Sequence, residues 1–161
     1  MLNKNLVHYI VVTAIPINEE GKFLICKRAD FEKAFPGMWT VPGGKMEVLD
    51  YALRQKDTLH HWYNVFEDTA KRETLEETGL VLTNLDYVTS IVYIRPDNVP
   101  CVIVSLFGNS KGNVQLCNAL TEFAWVNLEE AKNYCLIDGL YEELEILDKK
   151  LKGENSFWKR D

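Results

Sequence analysis

Hydrophobic and polar positions change rhythm several times along the chain, and each change marks an element. Leu6 to Ile17 is an almost unbroken β-branched and aromatic run, the pattern of a central strand covered on both faces. Asn18-Glu19-Glu20-Gly21 is a turn, and Lys22 to Arg28 returns as an alternating strand. Its period puts Lys22, Leu24, Cys26 and Arg28 on one face, with Phe23, Ile25 and Lys27 on the other. A loop from Ala29 to Met38 closes with Phe35-Pro36-Gly37 and delivers Trp39 to a short strand that ends at Gly43-Gly44. Lys45 to Tyr63 follows no clear period but carries large side chains, among them Tyr51, His60, His61, Trp62 and Tyr63. Asn64 with Glu67 reads as a capping box that opens a helix, Asp57 or Thr58 offers an earlier start, and Gly79 is its stop.

Leu85 to Arg95 and Cys101 to Phe107 flank Pro96-Asp97-Asn98-Val99-Pro100 as a hairpin, and Gly108 to Gly112 reads as a turn. Glu122 to Val126 is a short strand leading into a second capping box, Asn127 with Glu130, and a helix to about Tyr134. Leu140, Leu144, Leu147 and Leu151 fall on one stripe of a closing helix. From Gly153 on, the pattern is that of a frayed, flexible tail. Strands, a helix, more strands and a terminal helix predict an α/β fold, an α/β/α sandwich around a mixed β-sheet, in one domain over 1–161.

Composition narrows this picture. In 161 residues, 47% hydrophobic and 26% charged content suits a globular chain with a substantial core. A net charge of −6 argues against a nucleic-acid polymer as partner, because a grip on its backbone needs basic surface. A single nucleotide stays possible, since a metal can neutralise its phosphates locally. No apolar run approaches the roughly 20 residues of a membrane span, and the N-terminus lacks a signal-peptide shape. Cys26, Cys101, Cys117 and Cys135 show no metal-type pairing and read as reduced, mostly buried thiols of a cytoplasmic protein. His60-His61 diverge on either a helix or a strand and lack a third ligand at zinc spacing.

The chemistry concentrates in Arg72-Glu73-Thr74-Leu75-Glu76-Glu77-Thr78-Gly79-Leu80. Glu73, Glu76 and Glu77 stand at i, i+3 and i+4, so their carboxylates leave one helix face. Like charges repel at that spacing, and the C-terminal end of a helix is the wrong pole for anions. The plain reading is a solvated face with Arg72 paired to Glu76. The functional reading is a compensating cation, and oxygen-only ligands select a hard ion, Mg²⁺ or Mn²⁺.

The flanking residues favour the second reading. Together with Trp39-Thr40-Val41-Pro42-Gly43-Gly44-Lys45-Met46-Glu47, the stretch resembles the Nudix box. Its pattern is Gly, five residues, Glu, seven residues, then Arg-Glu-aliphatic-x-Glu-Glu-x-Gly-aliphatic. The second half matches at Arg72, Glu73, Glu76, Glu77, Gly79 and Leu80, with Thr74 in the first aliphatic slot. The first half departs: the pattern separates its glycine and arginine by 14 positions, whereas Gly44 and Arg72 stand 28 apart. Counting back eight from Arg72 reaches Asn64 rather than a glutamate, so 45–63 is read as a lengthened loop that borders the substrate pocket.

The resemblance implies the Nudix α/β/α sandwich and a metal-dependent pyrophosphohydrolase, cleaving a nucleoside diphosphate linked to another moiety. A start close to the first strand tilts the expected substrate toward a nucleoside triphosphate. The alternative is a catalytically silent Nudix-fold module that senses a nucleotide. By the same resemblance Glu73, Glu76 and Glu77 are ligands of Mg²⁺ or Mn²⁺, with the Gly43 carbonyl as a further oxygen. Arg72 orients the glutamates, Arg28 and Lys45 are candidates for phosphate contact, and Trp39 and Trp62 for contact with substrate. The general base is a box glutamate or Glu122. The expected partner is a small nucleotide, and the expected assembly a monomer or homodimer.

Overall fold

The computed structural model describes residues 4–159, so the readings placed on residues 1–3 and on the last two of the tail lie outside it. Lys4–Leu6 is a short 3-10 turn, and the first strand, β1, runs over Tyr9–Ile17. The apolar run starts before its burial does, since Leu6 and Val7 are exposed. β2 (Phe23–Arg28), β3 (Trp39–Thr40) and β4 (Gly43–Lys45) follow, so the glycine pair is itself a strand rather than the end of one. Next come a single-turn helix, α1 (Leu49–Ala52), and the long helix α2 (Val65–Thr78). β5 (Val81–Ile94) and β6 (Pro100–Lys111) form the expected hairpin, extended at its open end four residues beyond the apolar run on each strand. Gly108 is therefore inside β6, close against the Thr83 carbonyl of β5, and not in a turn. β7 (Leu120–Val126), α3 (Leu128–Ala131) and α4 (Leu140–Leu151) complete the chain.

The sheet has seven strands, in the order β3-β2-β1-β6-β5 with β4 on β1 and β7 on β2. β1 and β6 run parallel and the other pairs are antiparallel, which makes the sheet mixed. Alternation along β1 and β2 sorts the core into two layers. Ile15, Ile17, Phe23 and Ile25 pack with Leu140, Leu144 and Leu147 of α4. Val12, Ala14, Val104 and Leu106 pack on the other face with Ala70 and Phe66 of α2. Leu24 and Cys26 share that second face, with Leu80 and Leu120. The buried side of α2 is made of Thr69, Ala70, Thr74 and Thr78, with no large aliphatic group. Small side chains let the helix axis lie close to the sheet, and Thr78 satisfies its own hydroxyl on the Thr74 carbonyl at 2.6 Å.

Helix ends separate two sequence signals that looked alike. Asn127 and Glu130 do form a reciprocal capping box, with bonds of 2.8 and 2.9 Å. The helix they open stops at Ala131, short of Tyr134. Asn64 caps nothing with its side chain: its backbone is left-handed (φ 56°), and an N-cap reaches the third amide from extended backbone. Asp57 and Thr58 start no helix either, but brace the preceding loop through the amides of Tyr63 and His61. Gly79 ends α2 as expected, at φ 72°, its N–H bonded to the Leu75 carbonyl.

The stripe of α4 is buried at Leu140, Leu144 and Leu147 and half exposed at Leu151. Between them Glu143 is also buried, which the leucine spacing gave no sign of. Burial pushes its carboxyl up to about 7; Ser105 of β6 pulls it down and the neighbouring charge of Glu142 pushes it further up. Asp138, ahead of α4, is the other carboxylate beside it. Below about pH 4.5 Glu143 is protonated folded and unfolded, and the pKa shift costs nothing. Between there and about pH 7 the unfolded chain loses the proton first, so stability falls as pH rises, then levels off. The expected loss is on the order of 2 kcal/mol, and Glu143→Gln should remove it. Denaturant midpoints of both proteins from pH 4.5 to 8 check this, and parallel curves would contradict it.

Candidate active site

The site forms where α2 lies against β4. β4 is tied to β1 with Thr13 opposite Gly43 and Val12 opposite Gly44. Both glycines are required by close approach. A Cβ on Gly43 would lie 2.5 Å from the Val12 carbonyl oxygen, and one on Gly44 would lie 2.2 Å from Glu73 Oε1. The Gly43 N–H donates to Glu77 Oε2 at 2.9 Å. The last turns of α2 are thus tied to the glycine strand by Glu77 and lie close against it at Glu73, two of the three box glutamates.

Arg72 takes up the third. Its guanidinium forks to Asp50 Oδ1 at 2.8 Å, Glu73 Oε1 at 2.9 Å and Glu76 Oε2 at 3.0 Å. The pairing with Glu76 expected of a solvated face is present, but as one arm of a three-acid cluster. These protein donors hold the carboxylates apart, and among the described residues no three acidic, histidine or cysteine side chains converge on one point as they stand.

The electrostatics are those of a site short of positive charge. Burial pushes the Glu77 carboxyl up to about 7; the Gly43 N–H opposes this, Glu73 adds to it, and Arg28 counters it weakly. Burial also raises Glu73, against the pull of Arg72 and with help from Glu76. Burial pushes Asp50 up too, but the Glu47 N–H, Arg72 and Thr69 together outweigh it and hold the carboxyl below its ordinary value. A donor set of oxygens alone, with two acids that resist ionising in place, suits a hard divalent cation.

Asp50 is the residue that the sequence reading missed. It lies on α1 inside the lengthened segment, its side chain nearly buried, and it anchors Arg72 from 22 positions away. A signal existed: counting forward six from Gly44, where the Nudix pattern has its glutamate, reaches Asp50. The register of the first half is therefore intact, with aspartate in the acid slot, and the extra residues all follow it. Counting back from Arg72 hid this.

The remaining candidates divide between the two faces of the sheet. Arg28 is on the α2 face, bonded to Glu32 at 2.8 Å and the Ala34 carbonyl at 2.7 Å, with its field reaching Glu77. Lys45 is opposite Val11, on the far face from Glu73, with its ammonium 4.9 Å from the Tyr9 ring centre. Trp39 is also on that face, edge-on to Tyr134 at 4.7 Å and packed on the α4 core. Glu122 is opposite Lys27 in the β2–β7 ladder and bonded to it at 2.7 Å. Glu122 keeps the phase of Ala124 and Val126 and faces α4, and only beyond it does a bulge at Lys27/Arg28 turn Leu120 toward the α2 face. The fold does not bring Glu122 to the box glutamates. Trp62 is held within the lengthened segment, donating to the Arg54 carbonyl at 3.1 Å and tilted against Tyr51. The four cysteines are free; Cys26 and Cys101 are buried, Cys117 is partly buried and Cys135 is exposed.

The glycine strand, the pinned glutamates and the forked arginine reproduce the elements of the box in space. A family model, the NUDIX domain, matches residues 7–145. The chain belongs to the Nudix family. It is 28% identical over 131 residues to the nucleoside triphosphatase NudI of Klebsiella pneumoniae (strain 342), covering 74% of this chain and 83% of that one. The NudI protein of Escherichia coli (strain K12) is 27% identical over 132 residues, with the same coverage. Among solved structures, the MutT protein of Methanosarcina mazei Go1 superposes with a TM-score of 0.69 at 24% identity, covering 90% of this chain and 96% of that one. The NUDIX domain of Shewanella oneidensis NrtR, crystallised with ADP ribose, superposes with a TM-score of 0.65 at 16% identity, over 91% and 88%. These neighbours carry the same Nudix α/β sandwich. The protein is a MutT-like Nudix hydrolase, acting on pyrophosphate bonds. No helix among the described residues is long and apolar enough to cross a membrane.

Proposed function

We propose that this Nudix hydrolase cleaves a nucleoside triphosphate, or a closely related nucleotide, at a phosphoric anhydride bond with the help of Mg²⁺ or Mn²⁺. The observation that carries the reading is the seating of two partly buried acids of α2 on a strand with no side chain to block approach, Glu77 bonded to the Gly43 N–H and Glu73 close against Gly44. The nucleoside triphosphatase relatives support the substrate class. Glu73, Glu76 and Glu77 would hold the ion, with the backbone of Gly43 beside it. When bound, the ion neutralises charge on the phosphate oxygens and stabilises the transition state. Arg72 keeps Glu73 and Glu76 in register, and Arg28 offers its charge to the phosphates from the β2 end. The proton of the attacking water passes to a box glutamate rather than to Glu122, which Lys27 holds on the opposite face. A panel of nucleotides turned over with Mg²⁺, read by released phosphate and pyrophosphate, tests the proposal. Failure to cleave any of them would overturn it.

Asp50 gives this reading a local check. Without its charge, the guanidinium of Arg72 falls back on Glu73 and Glu76 and competes with the ion for them. Asp50→Asn should therefore raise the Mg²⁺ concentration for half-maximal rate by roughly tenfold, a hydrogen-bonded charge pair's worth. Asp50→Glu, which restores the charge, should recover most of it. Equal Mg²⁺ dependence in all three proteins would leave Asp50 only a loop anchor.

A further inference from the structure

β5 closes one side of the sheet, and among the described residues no strand pairs with its outer edge. The two halves of that edge are finished differently. At the Asp86–Tyr87 end, Lys150 of α4 reaches across it, bonded to the Tyr87 carbonyl at 2.5 Å and paired with Asp86 at 3.0 Å. A lysine laid on an edge blocks further pairing there. From Thr89 to Ile94 the strand carries no charge, and Val92 and Ile94 are more than half exposed. The ladder with β6 decides which backbone groups are left over. Pro100, opposite Ile94, has no N–H to give, and the Arg95 N–H bonds the Val99 carbonyl. The hydrogen-bonded pairs are therefore Tyr93–Cys101, Ile91–Ile103 and Thr89–Ser105. Ile94, Val92 and Ser90 turn both N–H and C=O outward, and among the described residues no protein group bonds them there. Both faces of this stretch are hollow as well. On the α2 side a cavity of about 460 Å³ is lined by Phe66, Tyr87, Ser90, Val102 and Leu106. On the α4 side one of about 310 Å³ is lined by Thr89, Ile91, Asp138, Glu142, Glu143 and Trp158. A strand added at an edge sends its side chains alternately to the two faces, and here each face has room for them.

We propose that this edge of β5 pairs antiparallel with β5 of a second copy of the chain, joining two sheets into one across a two-fold axis at Val92. Two limits set the centre. The ladder irregularity between Tyr87 and Thr89 ends the straight edge on one side, and Pro96, without an N–H, ends it on the other. Thr89 to Arg95 remains, with Val92 at its midpoint. The backbone agrees, because outward-turned residues then meet each other: Val92 meets Val92, and Ser90 meets Ile94. Ser90, Val92 and Ile94 share the α2 face, since Val104 and Val102, opposite the first two, belong to the core on that side. Ile94 of one protomer thus arrives beside Ser90 at the α2-side cavity of the other. Thr89, Ile91, Tyr93 and Arg95 share the α4 face, where Ser105 on the Thr89 rung lies against Glu143. Arg95 is held over that face by the Tyr9 ring, 4.8 Å from its centre. In this register Arg95 of one copy comes opposite Thr89 of the other, at the cavity that carries Asp138, Glu142 and Glu143. Its present partner, Asp97 at 3.1 Å, is a surface ion pair that exchanges at little cost. An arginine meets three acids, twice by symmetry, and this complementarity selects a second copy over an unrelated strand. β1 and β6 stand between this edge and β4, so the proposal is independent of the nucleotide reading.

Sedimentation equilibrium of the whole chain over about 1–100 µM should show a monomer–dimer equilibrium with a Kd on the order of micromolar, as a small interface gives. Val92→Lys sets two ammonium groups face to face on the axis and should weaken the dimer by at least about thirtyfold. Because the position is exposed, the variant should melt with wild type under dilute, monomeric conditions. Arg95→Glu and Glu142→Arg should each weaken the dimer by roughly tenfold, and the double variant, which exchanges the charges in both halves, should recover most of the loss. Amide exchange followed by NMR locates the contact. The N–H groups of Ser90, Val92 and Ile94 should exchange at least about tenfold more slowly in concentrated than in dilute wild type, whereas those of Ile91 and Tyr93 are protected in both. A wild type that is monomeric throughout the range overturns the proposal. So does a dimer that Val92→Lys leaves intact, or one in which the three outward amides exchange alike at both concentrations, because another surface then joins the copies.

Discussion

Glu77→Gln should cut Mg²⁺-supported turnover by on the order of 10²–10³-fold or more, while the protein melts at the same temperature as wild type or slightly above it. The two halves of this result come from one cause. Glu77 is partly buried against β4 beside Glu73, where a negative charge is costly without a cation. Glutamine keeps the oxygen that accepts the Gly43 N–H and removes the charge, so the fold loses nothing. The ion loses a ligand, and charge stabilisation at the transition state is worth several kcal/mol, which sets the size of the rate loss. Glu76→Gln should behave alike in rate, with a smaller effect on stability because its carboxylate is more than half exposed. Glu67→Gln, near the start of the same helix and outside the site, should leave the rate within about twofold. Excess chelator should abolish wild-type activity, and Mg²⁺ or Mn²⁺ should restore it. Equal turnover by wild type and Glu77→Gln would return the acidic face to the status of solvated surface.

The second large effect separates two adjacent glycines. Gly43→Ala should lower the melting temperature by roughly 5–10 °C and lose activity with it. Gly44→Ala should melt within about 2 °C of wild type yet lose activity by on the order of 10²-fold. At Gly43 the added methyl meets backbone: the Val12 carbonyl oxygen at 2.5 Å and the Thr13 Cα at 2.7 Å. Backbone in a central strand cannot yield, so the β1–β4 pairing must open, an overpacking cost of a few kcal/mol. At Gly44 the three atoms nearest the methyl all belong to the Glu73 carboxylate, a side-chain end rather than backbone. A side-chain end can swing aside with little cost to the fold, but the ion then loses Glu73. Thermal melts beside kcat/KM on one nucleotide decide the matter. Equal destabilisation by both substitutions would mean that Gly44 is needed by the strand and not by the site.

Much of this protein is written locally in its chain. The i, i+3, i+4 spacing of Glu73, Glu76 and Glu77 places them on one helix face whatever the helix packs against, because helical geometry alone fixes it. The Asn127–Glu130 cap, the Gly79 stop and the two faces of β2 are equally local, each set by contacts within a few residues. Other features were decided only when distant segments met. Asp50 reaches Arg72 because 14 extra residues form a closed loop between them, and loop closure has no periodic signature. Glu122 faces away from the box because the β7–β2 ladder pairs it with Lys27, in phase with Ala124 and Val126 on the α4 side. Glu143 is buried because α4 lies across Ser105, a contact that a leucine stripe cannot announce. Spacing along a helix or strand fixes which side chains share a face. What that face meets is chosen by tertiary packing, and the electrostatics of Glu77, Asp50 and Glu143 follow from that choice.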